Sequence, residues 1–488
     1  MEKGRGLELF WLLMGRISLL MGIALLVPLA ASVLWRDTEP RLFLLPAVFG
    51  LLLGTGLCWL GRTPLRRLTL REGILFIVFS WALMGFIGSM PYYISGLLPD
   101  AAAVWFETIS SLTTTGVSCL DLDRLELPQS LLLWHSLMSW LGALSFIFMM
   151  VTVLPQVGGC FGLTLSVRQS VTFSPFWNRM SQAMWRGAGV YIGLTVFSLL
   201  LFGLAGLDPA AALIRALLTM SSGGGVSFYS FMDYDNPVLE LAAGLVMLLS
   251  SMSLLLCWKA WERRSFWLFW QDAELRFFLA IFVAAGLLLS LHLFGTGWYD
   301  RLDSLRYGFF QAASFLSTNG FASAPFWLWP GFDRYVLFLL VFVGGCIGSA
   351  AGGLKVMRIL VLFRMTLAEL RRTIHPHMVV SVKVDGLAVD PKILGRILAY
   401  FFLYLLLFVA ASLLLSLADI TLLQAMGLAA GCLTSTGSTT ALFGVDSLYF
   451  LPDWAKWACC LLMILGRIEI FSFLMLMDLG AHVLQRRW

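Results

Sequence analysis

The chain alternates long apolar runs with short polar connectors, and the length of each run sorts it into one of two kinds. Crossing a bilayer takes about 20 predominantly apolar residues. Ten runs reach that length: roughly residues 9–35, 42–60, 72–97, 128–154, 187–206, 238–258, 276–295, 335–363, 394–418 and 454–478. Four others, roughly 101–112, 209–220, 305–316 and 421–433, are too short to cross and read as re-entrant or buried half-helices. The pattern predicts an all-α polytopic membrane protein.

Each short run ends in a tetrad of small, hydroxyl- or glycine-bearing residues. These are Thr113-Thr114-Thr115-Gly116, Ser222-Gly223-Gly224-Gly225, Ser317-Thr318-Asn319-Gly320 and Thr434-Ser435-Thr436-Gly437. Their final glycines stand 109, 95 and 117 residues apart, so after the first two runs one unit repeats four times. The unit is span, half-helix, tetrad, span. Internal repeats of this kind mark channel and transporter folds.

Composition agrees with the pattern. Of 488 residues, 59% are hydrophobic and 12% charged, where a soluble domain carries about 25% charged residues. A soluble enzyme, a disordered regulator and a disulfide-stapled secreted domain are excluded. The net charge of +5 is small, but its placement is informative. Arg62, Arg66, Arg67 and Arg71, then Arg168, Arg179 and Arg186, then Lys259, Arg263 and Arg264, then Lys355 through Arg396 fall in alternate connectors. The intervening connectors hold Asp121, Asp123, Asp233, Asp235, Asp446 and Asp453. That is the positive-inside pattern, so the basic connectors face the cytoplasm, and an even number of spans places both termini there. Charges strung along short loops do not make a nucleic-acid surface. Eight scattered cysteines and five dispersed histidines give neither a disulfide framework nor a zinc motif. The first apolar run is followed at once by a second, so a retained hairpin is expected rather than a cleaved signal peptide.

Non-helical backbone at membrane depth is tolerated only when buried in protein or lining water. Four tetrads converging on one axis could present rings of carbonyl oxygens in place of a cation's water shell. Glycine reaches the backbone angles that aim such carbonyls inward. For any single tetrad, close helix packing through small residues is the plain alternative. Four of them, each after a half-length helix and on one side of the membrane, favour the filter.

Two further features belong to the chemistry. The run Gly344-Gly345-Cys346-Ile347-Gly348-Ser349-Ala350-Ala351-Gly352-Gly353-Leu354-Lys355 interrupts the 335–363 span. Its poor helix propensity predicts an unwound loop, against the alternative of a small-residue packing face. Arg467, with Glu469, lies within the last span, where an ionisable residue marks a polar pathway or a partner. Glu107 and Arg215, on the first two half-helices, read as interfacial or paired residues, and Arg16 as snorkelling or paired.

These residues resemble the TrkH-type subunits of the Trk/Ktr/HKT potassium transporter superfamily. The likeness is carried by Phe106-Glu107-Thr108 leading into the first tetrad, Trp140-Leu141-Gly142, Gly344-Gly345-Cys346 through Lys355-Val356, Ile374-His375-Pro376, and Leu465-Gly466-Arg467-Ile468-Glu469. The resemblance implies about ten transmembrane helices and four re-entrant pore half-helices in a pseudo-fourfold pore. Two amino-terminal spans (1–67) would lie outside it, with pore repeats at 68–160, 161–265, 266–375 and 376–488. It implies a potassium filter made by Thr114, Thr115 and Gly116; Gly223, Gly224 and Gly225; Thr318, Asn319 and Gly320; and Ser435, Thr436 and Gly437. Gly116, Gly225, Gly320 and Gly437 match the filter glycines. Gly344, Gly345, Gly348, Gly352, Gly353 and Lys355 match an intramembrane gating loop, and Arg467 the arginine beneath the filter.

The resemblance further implies a homodimer in the bacterial inner membrane on a cytosolic NAD/ATP-binding, TrkA-like regulatory subunit. The chain itself has no nucleotide-binding motif and needs no cofactor, with potassium only as the permeant ion. Gly223 and Val226 stand where threonine and phenylalanine are more usual, and Ser438 where proline is, which bears on selectivity and rate. The alternative within transport is a poorly selective channel that also passes sodium and rubidium. No HExxH, GxSxG or paired-carboxylate motif supports a membrane-embedded enzyme.

Overall fold

The computed structural model describes residues 2–61, 70–120, 127–152, 176–225, 230–375, 381–445 and 448–468. Glu469, Val226 and His377 lie outside the described residues. Over the described residues, helices fall in every apolar run. The long ones are α1 (Glu2–Trp35), α2 (Arg41–Leu60), α3 (Leu70–Ser95), α5 (Gln129–Thr152), α6 (Phe176–Leu204), α11 (Ala273–Gly295) and α15 (Pro391–Leu415). The short ones are α4 (Ala101–Leu112), α7 (Pro209–Ser221), α12 (Arg301–Leu316) and α16 (Leu422–Thr434). The remainder are α8 (Pro237–Ser250), α9 (Leu254–Glu262), α10 (Trp267–Gln271), α13 (Gly331–Val343), α14 (Val356–Ile374) and α17 (Asp453–Ile468).

Among the described residues six helices are long and apolar enough to cross a membrane, or seven if α8 and α9 count as one span. Two of the ten expected spans are not simple rods. The 238–258 run bends by 93° between α8 and α9. The break falls at Ser251, Met252 and Ser253, where hydroxyl side chains compete with the backbone for hydrogen bonds. The 335–363 run is interrupted by residues 344–355, as its glycines led one to expect. A two-stranded hairpin, Lys383–Val384 with Leu387–Ala388, went unforeseen between α14 and α15. Its turn, Asp385-Gly386, has positive φ at both residues (48° and 79°), the geometry an Asp-Gly pair favours.

Local chemistry starts each short helix. Asp100 Oδ1 accepts the Ala103 N–H at 2.6 Å. Asp208 accepts the Ala211 N–H at 3.1 Å, with Pro209 in the first turn. Thr421 and Gln424 form a reciprocal capping box. Asp300 occupies the same place before α12 without a side-chain bond. The carboxyl-terminal halves of these helices are buried, and in α4 from Ala102 to Leu112 only Trp105 is partly exposed. A helix apolar all round belongs inside a bundle. By contrast α1 and α2 form a hairpin at the periphery, drawn together where Gly50 faces Gly22 and Gly54 faces Gly15.

Candidate functional site

The four short helices end in one backbone motif. Thr114, Ser222, Thr318 and Ser435 take φ values of 58°, 55°, 57° and 56°. Side chains seldom adopt this left-handed conformation, and a helix end normally reserves it for glycine. In each case the next residue's N–H reaches back five positions: Thr115 to Ser110 O, Gly223 to Leu218 O, Asn319 to Ser314 O and Thr436 to Gly431 O, at 2.8–3.1 Å. Four repeats thus share a strained cap, and such strain persists where the surrounding structure dictates it.

This shared cap fixes the register between repeats. Gly116, Gly320 and Gly437 each follow two residues after the left-handed position; in the second repeat that place belongs to Gly224, not Gly225. Counting back from the last glycine shifted the second tetrad by one residue. The run of three glycines carries no side-chain signal that could have settled it.

With this register the glycines form a closed circuit. A Cβ on Gly116 would strike the Gly224 carbonyl oxygen, and one on Gly224 would lie 2.5 Å from the Asn319 carbonyl oxygen. On Gly320 it would strike Ser438 Oγ, and on Gly437 it would lie 2.6 Å from the Gly116 carbonyl oxygen. First repeat meets second, second third, third fourth, and fourth first. Gly225 also abuts Gly116, whereas Gly223 faces Ser139 on α5. Thr115, Asn319 and Thr436 are fully buried within the circuit. The ring is not uniform, because Gly116 and Gly320 have positive φ (74° and 76°) and Gly224 and Gly437 do not.

The glycine-rich segment lies against one side of this ring. Ser222 Oγ donates to Ala350 O at 3.0 Å, and the Gly352 N–H donates to Thr318 Oγ1 at 2.8 Å. A Cβ on Gly352 would run into the Thr434 carbonyl. Of the four hydroxyls at the left-handed positions, two therefore bond the loop. Those of Thr114 and Ser435 have no hydrogen-bond partner among the described residues. The loop folds on itself where Gly344 meets Gly352 and Gly353, and its positive φ at Gly344, Gly348 and Gly353 requires glycine. Gly345 packs on Ala351 and Ser349.

Two anchors escaped the sequence reading. Cys346 N–H donates to Ser251 O at the α8–α9 bend (2.9 Å), and Ile347 N–H donates to the buried Glu274 carboxylate of α11 (2.8 Å). Glu274 sits at a helix start where an acidic residue is commonplace, which hid it.

Two cations share one aromatic ring. The Arg467 guanidinium lies 4.3 Å and the Lys355 ammonium 5.6 Å from the centre of Phe146. Lys355 Nζ also donates to Ala351 O. Arg467 is 1% exposed, and its three nitrogens find no hydrogen-bond partner among the described residues. Its neighbour Gly466 lets α17 press against Leu433 of α16. Thus Lys355 and Arg467, far apart in sequence, converge on Phe146.

Replacing Gly352 and Gly353 with alanine should disturb this loop strongly. Helix propensity alone favours the variant's helical form by about 1 kcal/mol per site. Here the added methyls would also collide with Thr434 O and with the Gly344 backbone. The expected result is a changed open probability in single-channel records; an unchanged value would make the loop a packing face.

A helical membrane protein whose half-length helices deliver four backbone segments to a common ring is, by class, a membrane transport protein. Residues 42–480 match the family model of TrkH, described as cation transport protein, and the chain belongs to that family. It is 30% identical over 478 residues to the Trk system potassium uptake protein TrkH of Halomonas elongata, covering 95% of this chain and 97% of that one. Identity to TrkH of Vibrio parahaemolyticus is 31% over 484 residues, with the same coverage. For TrkG of Escherichia coli K12 it is 30% over 478 residues, covering 95% and 96%. The crystal structure of the potassium transporter TrkH from Vibrio parahaemolyticus superposes with a TM-score of 0.86 at 29% identity, covering 96% of this chain and 98% of that one.

Proposed function

We propose that this chain takes up potassium across the bacterial inner membrane, both termini cytoplasmic, through a filter formed by the four glycine segments. The observation that carries the reading is the closed circuit of Gly116, Gly224, Gly320 and Gly437, each held by the same left-handed cap. Backbone oxygens gathered this closely suit a dehydrated monovalent cation and require no carboxylate. The relatives named above are potassium uptake proteins, which supports the choice of ion. The segment 344–355 acts as the gate, since it bonds two of the four hydroxyls beneath the ring. The amino-terminal hairpin stands outside the pore.

A bacterium lacking potassium uptake should regain growth on low potassium when it expresses this chain together with its regulatory subunit. Liposomes holding the purified protein should pass potassium faster than sodium. Equal rates would overturn the potassium reading and favour the second one, a poorly selective monovalent cation channel. That alternative is favoured by one observation, the alternation of glycine φ around the ring.

The active form is a homodimer on a cytosolic NAD/ATP-binding, TrkA-like ring. Arg371 and Arg372, exposed at the last turn of α14, form the docking charge. Reversing both charges should release the ring during co-purification. Retention would leave these arginines as positive-inside residues facing lipid headgroups.

A further inference from the structure

The register set by the shared caps brings a second position into correspondence. Nine residues before Gly116, Gly224, Gly320 and Gly437 stand Glu107, Arg215, Gln311 and Leu428. Three of the four are long polar side chains, and all four are buried in the short helices. Each polar one reaches the backbone that leaves the ring. Glu107 Oε2 accepts the Cys119 N–H at 3.1 Å and the Ser118 hydroxyl at 3.0 Å. Gln311, with its amide turned to satisfy both neighbours, accepts the Ser323 N–H at 3.0 Å and donates to Phe321 O at 3.2 Å. Cys119 and Ser323 are themselves in register, three residues beyond Gly116 and Gly320. Arg215 Nη2 donates to Ser230 O at 3.4 Å, with its guanidinium over the Tyr234 ring.

The same two repeats share a second brace: Ser110 Oγ donates to Val117 O and Ser314 Oγ to Phe321 O, at 2.5 and 2.7 Å. These are the repeats whose ring glycine has positive φ. The fourth repeat has Leu428 instead, and its exit braces itself. Gly437–Thr439 forms a 3-10 turn, with Thr439 Oγ1 donating to Gly427 O at 2.7 Å.

We propose that Glu107, Gln311 and Arg215 are positioning residues that determine ion preference by holding the exit backbone of their repeats, and so the carbonyl direction at the ring glycine. These braces act on the backbone and do not coordinate the ion. In the first repeat the brace extends outward, because His135 Nδ1 lies 3.5 Å from Glu107 Oε1 and 3.3 Å from the Tyr92 hydroxyl. The proposal rests on the filter reading above.

The test replaces Glu107 and Gln311 separately with leucine, the residue the chain itself accommodates at this position in its fourth repeat. Glu107→Gln keeps an acceptor for the Cys119 N–H, and Gln311→Glu keeps one for Ser323. Potassium-to-sodium permeability ratios are read from reversal potentials in planar bilayers, beside the melting temperature of the purified protein. Losing one buried brace should lower the ratio by about fivefold, the net worth of a hydrogen bond, while Glu107→Gln should stay within about twofold of the parent. A parental ratio in Glu107→Leu or in Gln311→Leu, whichever is recovered folded, overturns the proposal. So does a conservative variant that loses the ratio as fully as leucine. If neither leucine variant folds, Glu107→Gln and Gln311→Glu decide: a ratio shifted in neither upholds the proposal, and a leucine-sized loss in either overturns it. Gly320→Ser separates this proposal from its premise: a shift there without one at Glu107 or Gln311 leaves the filter standing and removes the brace, whereas no shift at Gly320 removes the filter.

Discussion

Replacing Gly320 with serine should cut the preference for potassium over sodium by about tenfold while leaving most of the protein folded. Two effects combine at this residue. Its φ of 76° lies where a side chain is strained, at a cost of about 1–2 kcal/mol. A Cβ there would also strike Ser438 Oγ, whose hydroxyl donates to the Gly320 carbonyl. Relieving either strain turns the peptide plane and moves an oxygen of the proposed filter. A free-energy change of about 1.4 kcal/mol between two ions is a factor of ten. Gly244 on α8 has open space around it and provides the control, for which serine should leave the ratio unchanged. Both variants reading alike would remove the filter assignment.

Arg467→Ala should raise potassium flux about tenfold or more, and Arg467→Lys should leave it low. If the glycine ring is the filter proposed above, a fixed cation beneath it repels what the filter releases. With about 8 Å between two unit charges and an effective dielectric near 20, the repulsion is about 2 kcal/mol, enough for that factor. The rival role, an anchor bonded to loop carbonyls or a carboxylate, has no hydrogen bond to support it among the described residues, where the guanidinium lies over the Phe146 ring. The two roles predict opposite signs. Flux normalised to folded protein rises if the arginine is a barrier. It falls, with a lower melting temperature, if alanine strips the site of an anchor.

Much of this architecture is legible in run length alone, because bilayer thickness and half-thickness impose distinct helix lengths. The short helix at 101–112 and the interruption at 344–355 follow from hydropathy and glycine content. The 93° bend did not, since Ser251, Met252 and Ser253 sit inside a run that is uniformly apolar by average. The register of the second tetrad was illegible because three successive glycines are interchangeable in sequence. Only φ at Ser222 distinguishes them. The meeting of Lys355 with Arg467 over Phe146 joins three distant segments, and nothing local announces it. Glu107 and Arg215 read in sequence as interfacial or paired residues, and their correspondence with the uncharged Gln311 needed the register first.

The connection between the loop and the arginines that end α14 has a mechanical side. Lys355, the last residue of the loop, begins α14 at a φ of 75°, a strained joint rather than a smooth continuation. The helix runs for 19 residues to its two terminal arginines, a rigid rod about 28 Å long at 1.5 Å per residue. Swinging its far end by about 2.5 Å turns the joint by only about 5° over that length. The bonds at Ser222 and Thr318 tolerate little displacement before hydrogen-bond geometry fails. Leverage therefore sits at the tip that carries Arg371 and Arg372, where a small sideways push is worth more than a direct pull on the loop.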